Sequence, residues 1–195
     1  MKVINTKING LILAGGYSKR MGRDKALIEF HGKPQVEHIF ELLKKYCSEV
    51  YLSKRPDQVS YKNFPSINDT EEFSNQGPLG GILSAMKTQP QHNWLVVACD
   101  LPYITGETFD YLFKMRNPQK IATAFISTAD GLPEPLCTIW EGHAYEAILK
   151  LFNEGVHCPR KILIKSDTNL ISQKNPRWLE NINSPEEYQA YLKSN

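Results

Sequence analysis

No apolar run in this chain is long enough to span a bilayer, which excludes a helical membrane protein. The opening segment Met1-Lys2-Val3-Ile4-Asn5-Thr6-Lys7 lacks the apolar stretch and cleavage site of a secretory leader, so a cytoplasmic protein is expected. A surplus of one charge is also missing. The formal net charge is +2, too small to mark a nucleic-acid binder, and basic residues do not interleave with aromatic ones. Cysteine is sparse: Cys47, Cys99, Cys137 and Cys158 include no Cys-x-x-Cys pair and no metal-ligand spacing. Cys99 and Cys137 lie in apolar runs and read as core thiols, and Cys158, beside His157, is not needed by the chemistry reached below. His31, His38, His92, His143 and His157 form no ligand-spaced set, and no Ser-His-Asp arrangement can be argued. Internal repeats, low-complexity tracts and linkers are absent, so residues 1–195 are expected to form one domain.

The residues that are present point elsewhere. Hydrophobic residues make up 41% of the chain, an ordinary globular share that supports a sizeable core. The apolar run Leu11-Ile12-Leu13-Ala14 stops at Gly15-Gly16, and Tyr17-Ser18-Lys19-Arg20-Met21-Gly22-Arg23-Asp24-Lys25 follows. Glycine lets a backbone turn tightly and approach a ligand. Successive N–H groups in such a turn make an anion-binding concavity. Lys19, Arg20, Arg23 and Lys25 supply positive charge, and the Ser18 hydroxyl suits a phosphate better than it suits nucleophilic attack. The loop is not of the Walker type, because no Gly-Lys-Ser/Thr occurs, and it does not fit the dinucleotide pattern G-x-G-x-x-G. The bland alternative is a basic surface turn after a buried strand.

Apolar runs and amphipathic stretches alternate along the chain. Strands are expected over 8–14, 49–53, 94–99, 121–127 and 135–140, with a short one over 66–68. Helices are expected over 34–46, with Pro34 at the first position, over 79–86, from Thr105 through Met115, and over 143–152. Ser184-Pro185-Glu186-Glu187 reads as a capping box opening a last helix to Leu192. Residues 160–167 are ambiguous, with a helix favoured and a strand following over 169–172. Such alternation predicts a mostly parallel sheet covered on both faces, with ligands bound beyond the carboxyl ends of its strands.

Two acids fall at expected strand ends. Asp100 follows Leu95-Val96-Val97-Ala98-Cys99 and could hold a hard divalent cation, or simply cap the turn at Leu101-Pro102. Asp69, after Ser66-Ile67-Asn68, could be a second acidic contact on the same rim or a cap for the loop that follows. Gly77-Pro78-Leu79-Gly80-Gly81-Ile82 sets three glycines around a helix start, which suits an anion site, tight packing, or both. Arg160 and Lys161 are candidates for a second substrate's phosphate, against a solvated basic edge as the alternative.

Taken together, Leu13-Ala14-Gly15-Gly16-x-Ser18-x-Arg20-Met21-Gly22-x-Asp24-Lys25 resembles the signature of nucleotidyltransferases that activate small molecules with a nucleoside triphosphate. Within that superfamily the chain is similar to the molybdenum cofactor guanylyltransferases. The resemblance continues at Gly77–Ile82, at Cys99-Asp100-Leu101-Pro102-Tyr103-Ile104, at Glu134-Pro135-Leu136-Cys137 and at Asn181-Ile182-Asn183-Ser184-Pro185-Glu186-Glu187. It implies a Rossmann-like three-layer α/β sandwich with a mostly parallel central sheet. It also implies transfer of GMP from GTP to molybdenum-loaded molybdopterin, with pyrophosphate as the other product. By the same resemblance Leu13, Ala14, Gly15 and Gly16 meet the guanine nucleotide, Arg20 and Lys25 serve its phosphates, and Asp69 and Asp100 belong to the nucleotide site. Asp100 would hold Mg²⁺. Gly15-Gly16 resembles the guanine-using branch, whereas the sister cytidylyltransferases read Ala-Ala-Gly there. The family often carries Asn where this chain has Ser53, so no base or ribose contact is assigned at that position. The implied partners are GTP and molybdopterin, with no nucleic acid or membrane, and with room for transient contact with other proteins of cofactor biosynthesis. A donor other than GTP, another phosphorylated acceptor, and a non-catalytic nucleotide-binding module are the competing readings, and the joint presence of Lys25 and Asp100 weighs against the last.

Overall fold

The computed structural model describes residues 7–14, 27–54, 64–182 and 184–194. Two strands lie at its centre, β1 (Ile8–Leu13) and β4 (Asn93–Ala98), and every residue of β4 is buried. A continuous run such as Trp94-Leu95-Val96-Val97-Ala98 is what a strand covered on both faces requires. Around them lie β2 (Val50–Lys54), β3 (Ser66–Asn68), β5 (Ala122–Ile126), β6 (Pro133–Trp140) and β7 (Thr168–Ser172), giving one seven-stranded sheet of order β3-β2-β1-β4-β6-β5-β7. The first four strands in that order are mutually parallel. β6 runs antiparallel to both of its neighbours, because residues 127–132 form a hairpin too short for a parallel crossover. That hairpin is closed by the Ser127 N–H donating to the Leu132 carbonyl at 2.8 Å.

Helices cover both faces. On one, α1 (Gln35–Leu43) and α3 (Gly106–Met115) bury Val36, Ile39, Leu43, Phe109 and Leu112 against Ile12, Leu52, Leu95 and Val97. On the other, α2 (Gly77–Thr88), α4 (Tyr145–Asn153) and α5 (Pro159–Lys165) bury Leu79, Ile82, Met86, Ile148 and Ile162 against Leu11, Trp94, Val96 and Trp140. Odd- and even-numbered residues of β1 thus go to opposite cores, as the two-residue period of a strand dictates. A last helix, α6 (Pro185–Ser194), opens with the expected capping box. The Glu187 N–H donates to Ser184 Oγ at 3.2 Å, and the Ser184 N–H donates to Glu187 Oε2 at 3.2 Å.

The expected elements are present, with shifted ends. Pro34 (φ −51°, ψ 136°) stands just before α1 instead of inside it, and α1 stops at Leu43, with residues 44–46 forming a turn. α2 starts two residues earlier than its apolar pattern, at Gly77, whose positive φ of 58° favours glycine. The ambiguous stretch resolves into helix α5 followed by strand β7. Among the described residues, no helix is long and apolar enough to cross a membrane.

Candidate active site

Because β1 to β4 are parallel, their carboxyl ends share one edge of the sheet. The register pairs Leu13 with both Ser53 and Ala98, and Lys54 with Asn68. Beyond that edge the chain leaves β1 through buried Ala14, leaves β3 through half-buried Asp69, and leaves β4 through Cys99 and half-buried Asp100. The structure therefore brings Leu13, Ala14, Asp69 and Asp100 to one rim. The antiparallel β6 delivers its first residues there too, since Pro133 pairs with Ile126, the last residue of β5. Asp69 and Asp100 stand three strands apart, a separation of about 14 Å at ~4.8 Å per strand. Strands that far apart leave room between them for a bound nucleotide. Gly15, Gly16, Ser18, Arg20 and Lys25 lie outside the described residues, and the chain enters them directly from Ala14.

Backbone contacts fix both acids. The Asp69 N–H donates to the Lys54 carbonyl at 3.1 Å, and Thr70 is tied to α2 by its N–H on Ser84 Oγ at 2.9 Å. The Asp100 carbonyl accepts the Ile182 N–H at 3.1 Å, and the next carbonyl, that of Leu101, accepts Gln35 Nε2 at 3.2 Å. His31 Nε2 lies 2.9 Å from the Pro102 carbonyl. The turn after Asp100 is thus held from the start of α1 and from the C-terminal segment at once.

The glycines around the start of α2 have a packing role. A Cβ on Gly80 would fall 2.3 Å from the Phe73 carbonyl oxygen, and one on Gly81 would fall 2.2 Å from Ser53 Oγ. Only hydrogen at these positions lets α2 lie this close to the ends of β1 and β2, where Leu13 Cδ2 is also within 3.3 Å of the Gly81 position. Ser53, the position where the resemblance leads one to expect Asn, is therefore buried against Gly81. The 12-residue helix presents its N-terminus, with its outward N–H groups, at the same rim.

Arg160, at the start of α5, reaches the rim from the other half of the sheet. It donates to Asp130 Oδ2 at 2.8 Å and to Glu134 Oε2 at 3.0 Å, while Lys161 is exposed. Burial pushes the Glu134 carboxyl above its ordinary pKa, and the Arg160 guanidinium pulls the other way. The Leu132 N–H and the Ser127 hydroxyl hold the Asp130 carboxyl below its ordinary pKa, with Arg160 adding to the effect. Sequence reasoning placed Arg160 but missed its two acidic partners. Lys54, a half-buried cation at the end of β2 between the strands that carry Leu13 and Asp69, lies one residue past the expected second strand. The pairing of Arg160 with residues 26 and 30 positions earlier has no local signal; Lys54 could have been found by extending the second strand one residue.

Among the described residues no group of three or more His, Cys, Asp or Glu side chains could hold a metal unaided. In open α/β sheets ligands bind beyond the carboxyl ends of the strands, which is where Ala14, Asp69 and Asp100 stand. The chain belongs to the family of MobA-like NTP transferase domains, whose model matches residues 10–169. It is a nucleotidyltransferase. It is 42% identical over 189 residues to a "Molybdenum cofactor biosynthesis bifunctional protein" of Synechocystis, covering 95% of this chain and 54% of that protein, so the chain spans about half the length of that relative. It is 28% identical over 191 residues to a "Probable molybdenum cofactor guanylyltransferase" of Bacillus cereus, covering 94% of both. The crystal structure of molybdopterin-guanine dinucleotide biosynthesis protein A from Archaeoglobus fulgidus superposes with a TM-score of 0.77 at 19% identity, covering 95% of this chain and 97% of that one, which establishes the shared fold.

Proposed function

We propose that this protein transfers GMP from GTP to molybdenum-loaded molybdopterin, giving molybdopterin guanine dinucleotide and pyrophosphate. The observation that carries the reading is the coincidence of the family match over residues 10–169 with the rim that gathers Leu13, Ala14, Asp69 and Asp100. GTP would lie along that rim, its base end against the exits of β1 and β3 and its phosphates toward Gly15, Gly16, Ser18, Arg20 and Lys25. The relatives named for guanylyl transfer support GTP as donor. A soluble cytoplasmic enzyme that meets other proteins of cofactor biosynthesis fits the same reading.

Mg²⁺ fits the donor set. Asp100 offers one carboxylate at a strand end, and Mg²⁺ is held by one or two carboxylates plus substrate phosphates and water. Bound by Asp100, the ion would offset the charge of the two phosphate groups. The remaining chemistry falls to this chain's own residues. A terminal phosphate oxygen of the pterin attacks the α-phosphorus of GTP, the α–β bridging P–O bond breaks, and pyrophosphate leaves with the electron pair. A phosphomonoester has a second pKa of about 6, so the nucleophile is already largely ionised and no strong general base is needed. Lys25, Arg20 and the loop N–H groups stabilise the charge that develops on the transferred group and the leaving pyrophosphate. The hydrogen bonds that fix the backbone at Asp69 and Asp100 would keep these two residues in place for an in-line transfer. Arg160 and Lys161 would meet the acceptor's phosphate.

A donor-by-acceptor assay with pyrophosphate readout tests this. GTP with the metal-loaded pterin should release pyrophosphate, and CTP, ATP and UTP should not. Equal release from CTP would overturn the choice of donor, and release with a sugar or alcohol phosphate would overturn the choice of acceptor.

A further inference from the structure

A third, small apolar cluster lies apart from the two main cores. It joins Ile28 and Phe30, just after the glycine loop, to Ile182 and Tyr191, near the C-terminus, with Tyr103 and Tyr188 packed against it. Phe30 is gripped edge-on by two rings, Tyr188 at 5.4 Å and Tyr191 at 5.2 Å between centroids. Tyr191 also lies 5.3 Å from Tyr103, in the turn that follows Asp100. Each tyrosine adds a polar tie to the main chain. The Tyr188 hydroxyl donates to the Glu29 carbonyl at 2.9 Å, and the Tyr191 hydroxyl donates to the Phe30 carbonyl at 3.2 Å. Three further bonds close the arrangement: the Ile182 N–H on the Asp100 carbonyl, Gln35 Nε2 on the Leu101 carbonyl, and the Gln35 N–H on the Ile28 carbonyl at 2.9 Å.

Between them, through α6 and the segment before it, these contacts tie together two places that the sequence keeps about seventy residues apart, the chain four residues after Lys25 and the turn at Asp100. Mere anchoring of a terminal helix would be satisfied by the rings. The two hydroxyls instead hold consecutive main-chain carbonyls, which fixes the path of the backbone as well as its burial. We infer that Tyr188 and Tyr191 are positioning residues. They set the exit of the glycine loop at Glu29–Phe30 against the Asp100 turn, so that α6 governs the alignment of the two halves of the nucleotide site. The inference rests on the reaction proposed above.

The test is the double variant Tyr188→Phe/Tyr191→Phe, which removes both hydroxyls and keeps both rings. Each hydrogen bond contributes about 1 kcal/mol, so with both removed exchange of the Gln35 N–H, held by the Ile28 carbonyl, should quicken by up to roughly thirtyfold. The melting temperature should fall by about 4–8 °C, and KM for GTP should move by less than about twofold. The kcat for pyrophosphate release should fall about tenfold, because the loss is of alignment and not of binding. An unchanged kcat with quickened exchange overturns the positioning role. Unchanged exchange shows that the hydroxyls hold nothing and overturns the clamp itself. If the wild-type protein releases no pyrophosphate with any donor, the proposed reaction fails, and the clamp then stands or falls on exchange alone. Tyr188→Phe alone should give an intermediate exchange rate and an intermediate kcat, and a full effect from this single change would overturn the joint action of the two hydroxyls.

Discussion

The two halves of the sheet are built differently. In β3-β2-β1-β4 every strand is parallel, and each carboxyl end opens onto the rim. The segments that follow carry the glycine loop, Asp69 and Asp100, each directly after a strand. In β6-β5-β7 one strand is reversed, a hairpin replaces a crossover, and the charges that reach the rim are arranged as a network, with Arg160 on Asp130 and Glu134. The parallel half thus presents backbone N–H groups and strand-end carboxylates, which suits a nucleotide and its metal. The mixed half presents a guanidinium already paired with two acids, so an incoming anion would have to displace a carboxylate to reach it.

The largest effects should fall on the parallel half. Asp100→Ala should cut Mg²⁺-dependent pyrophosphate release on the order of 10³-fold, and Lys25→Ala about 10²-fold, both without a change in melting. Activity of Asp100→Ala that still tracked Mg²⁺ would remove the metal from Asp100. Next come the glycines of α2. Gly80→Ala should cost about 1–3 kcal/mol in denaturant unfolding, because its Cβ meets a backbone carbonyl that cannot step aside. Gly81→Ala should cost a similar amount, yet adding Ser53→Ala should recover more than half of it, since the clash there is with a side-chain hydroxyl. No recovery would mean that α2 meets the sheet differently.

In the mixed half, Arg160→Ala should raise KM for the pterin about tenfold and leave KM for GTP unchanged. A loss of stability with both KM values unchanged would make the network purely structural and would dissolve the contrast between the halves. The smallest effect concerns α1. Burial, then the positive neighbours His31 and Lys33, push the His38 imidazole down to about 4, with Glu41 opposing and Lys45 assisting. The folded pKa is depressed below the unfolded value near 6.5, so the unfolded chain binds more protons between those values. Stability from this group is full above about pH 6.5 and declines as pH falls toward 4. Wild type should lose ~2 °C of melting temperature relative to His38→Gln across that window and none above pH 7, the ring being about half exposed and screened.

The parallel half was also the more legible in sequence. β1, β3 and β4 each end in a local motif, so the apolar run and the glycine or acid that follows it read in order. Leu13, Ala14, Asp69 and Asp100 were placed at strand ends from Leu11–Ala14, Ser66–Asn68 and Leu95–Cys99 alone, and the structure puts them there. The mixed half read less well. The reversal of β6 depends on hairpin length, and the start of that strand at Pro133 is masked by two prolines within three residues. The glycines at 80 and 81 read as an anion site or as packing, and only the 2.3 Å from a Gly80 Cβ to the Phe73 carbonyl oxygen and the 2.2 Å from a Gly81 Cβ to Ser53 Oγ show that packing needs them.

By itself the sequence determined the alternation of strands and helices, the parallel majority of the sheet, and the residues delivered to strand ends, because periodicity and turn chemistry act within a few residues. Only the tertiary structure decided the strand order, the reversal of β6, the partners of Arg160, and the seating of Tyr188 and Tyr191 on the backbone after the glycine loop. Those contacts join segments from about thirty to more than one hundred and fifty residues apart. Their free energy comes from burial and pairing that exist only once both segments have been brought to the same place.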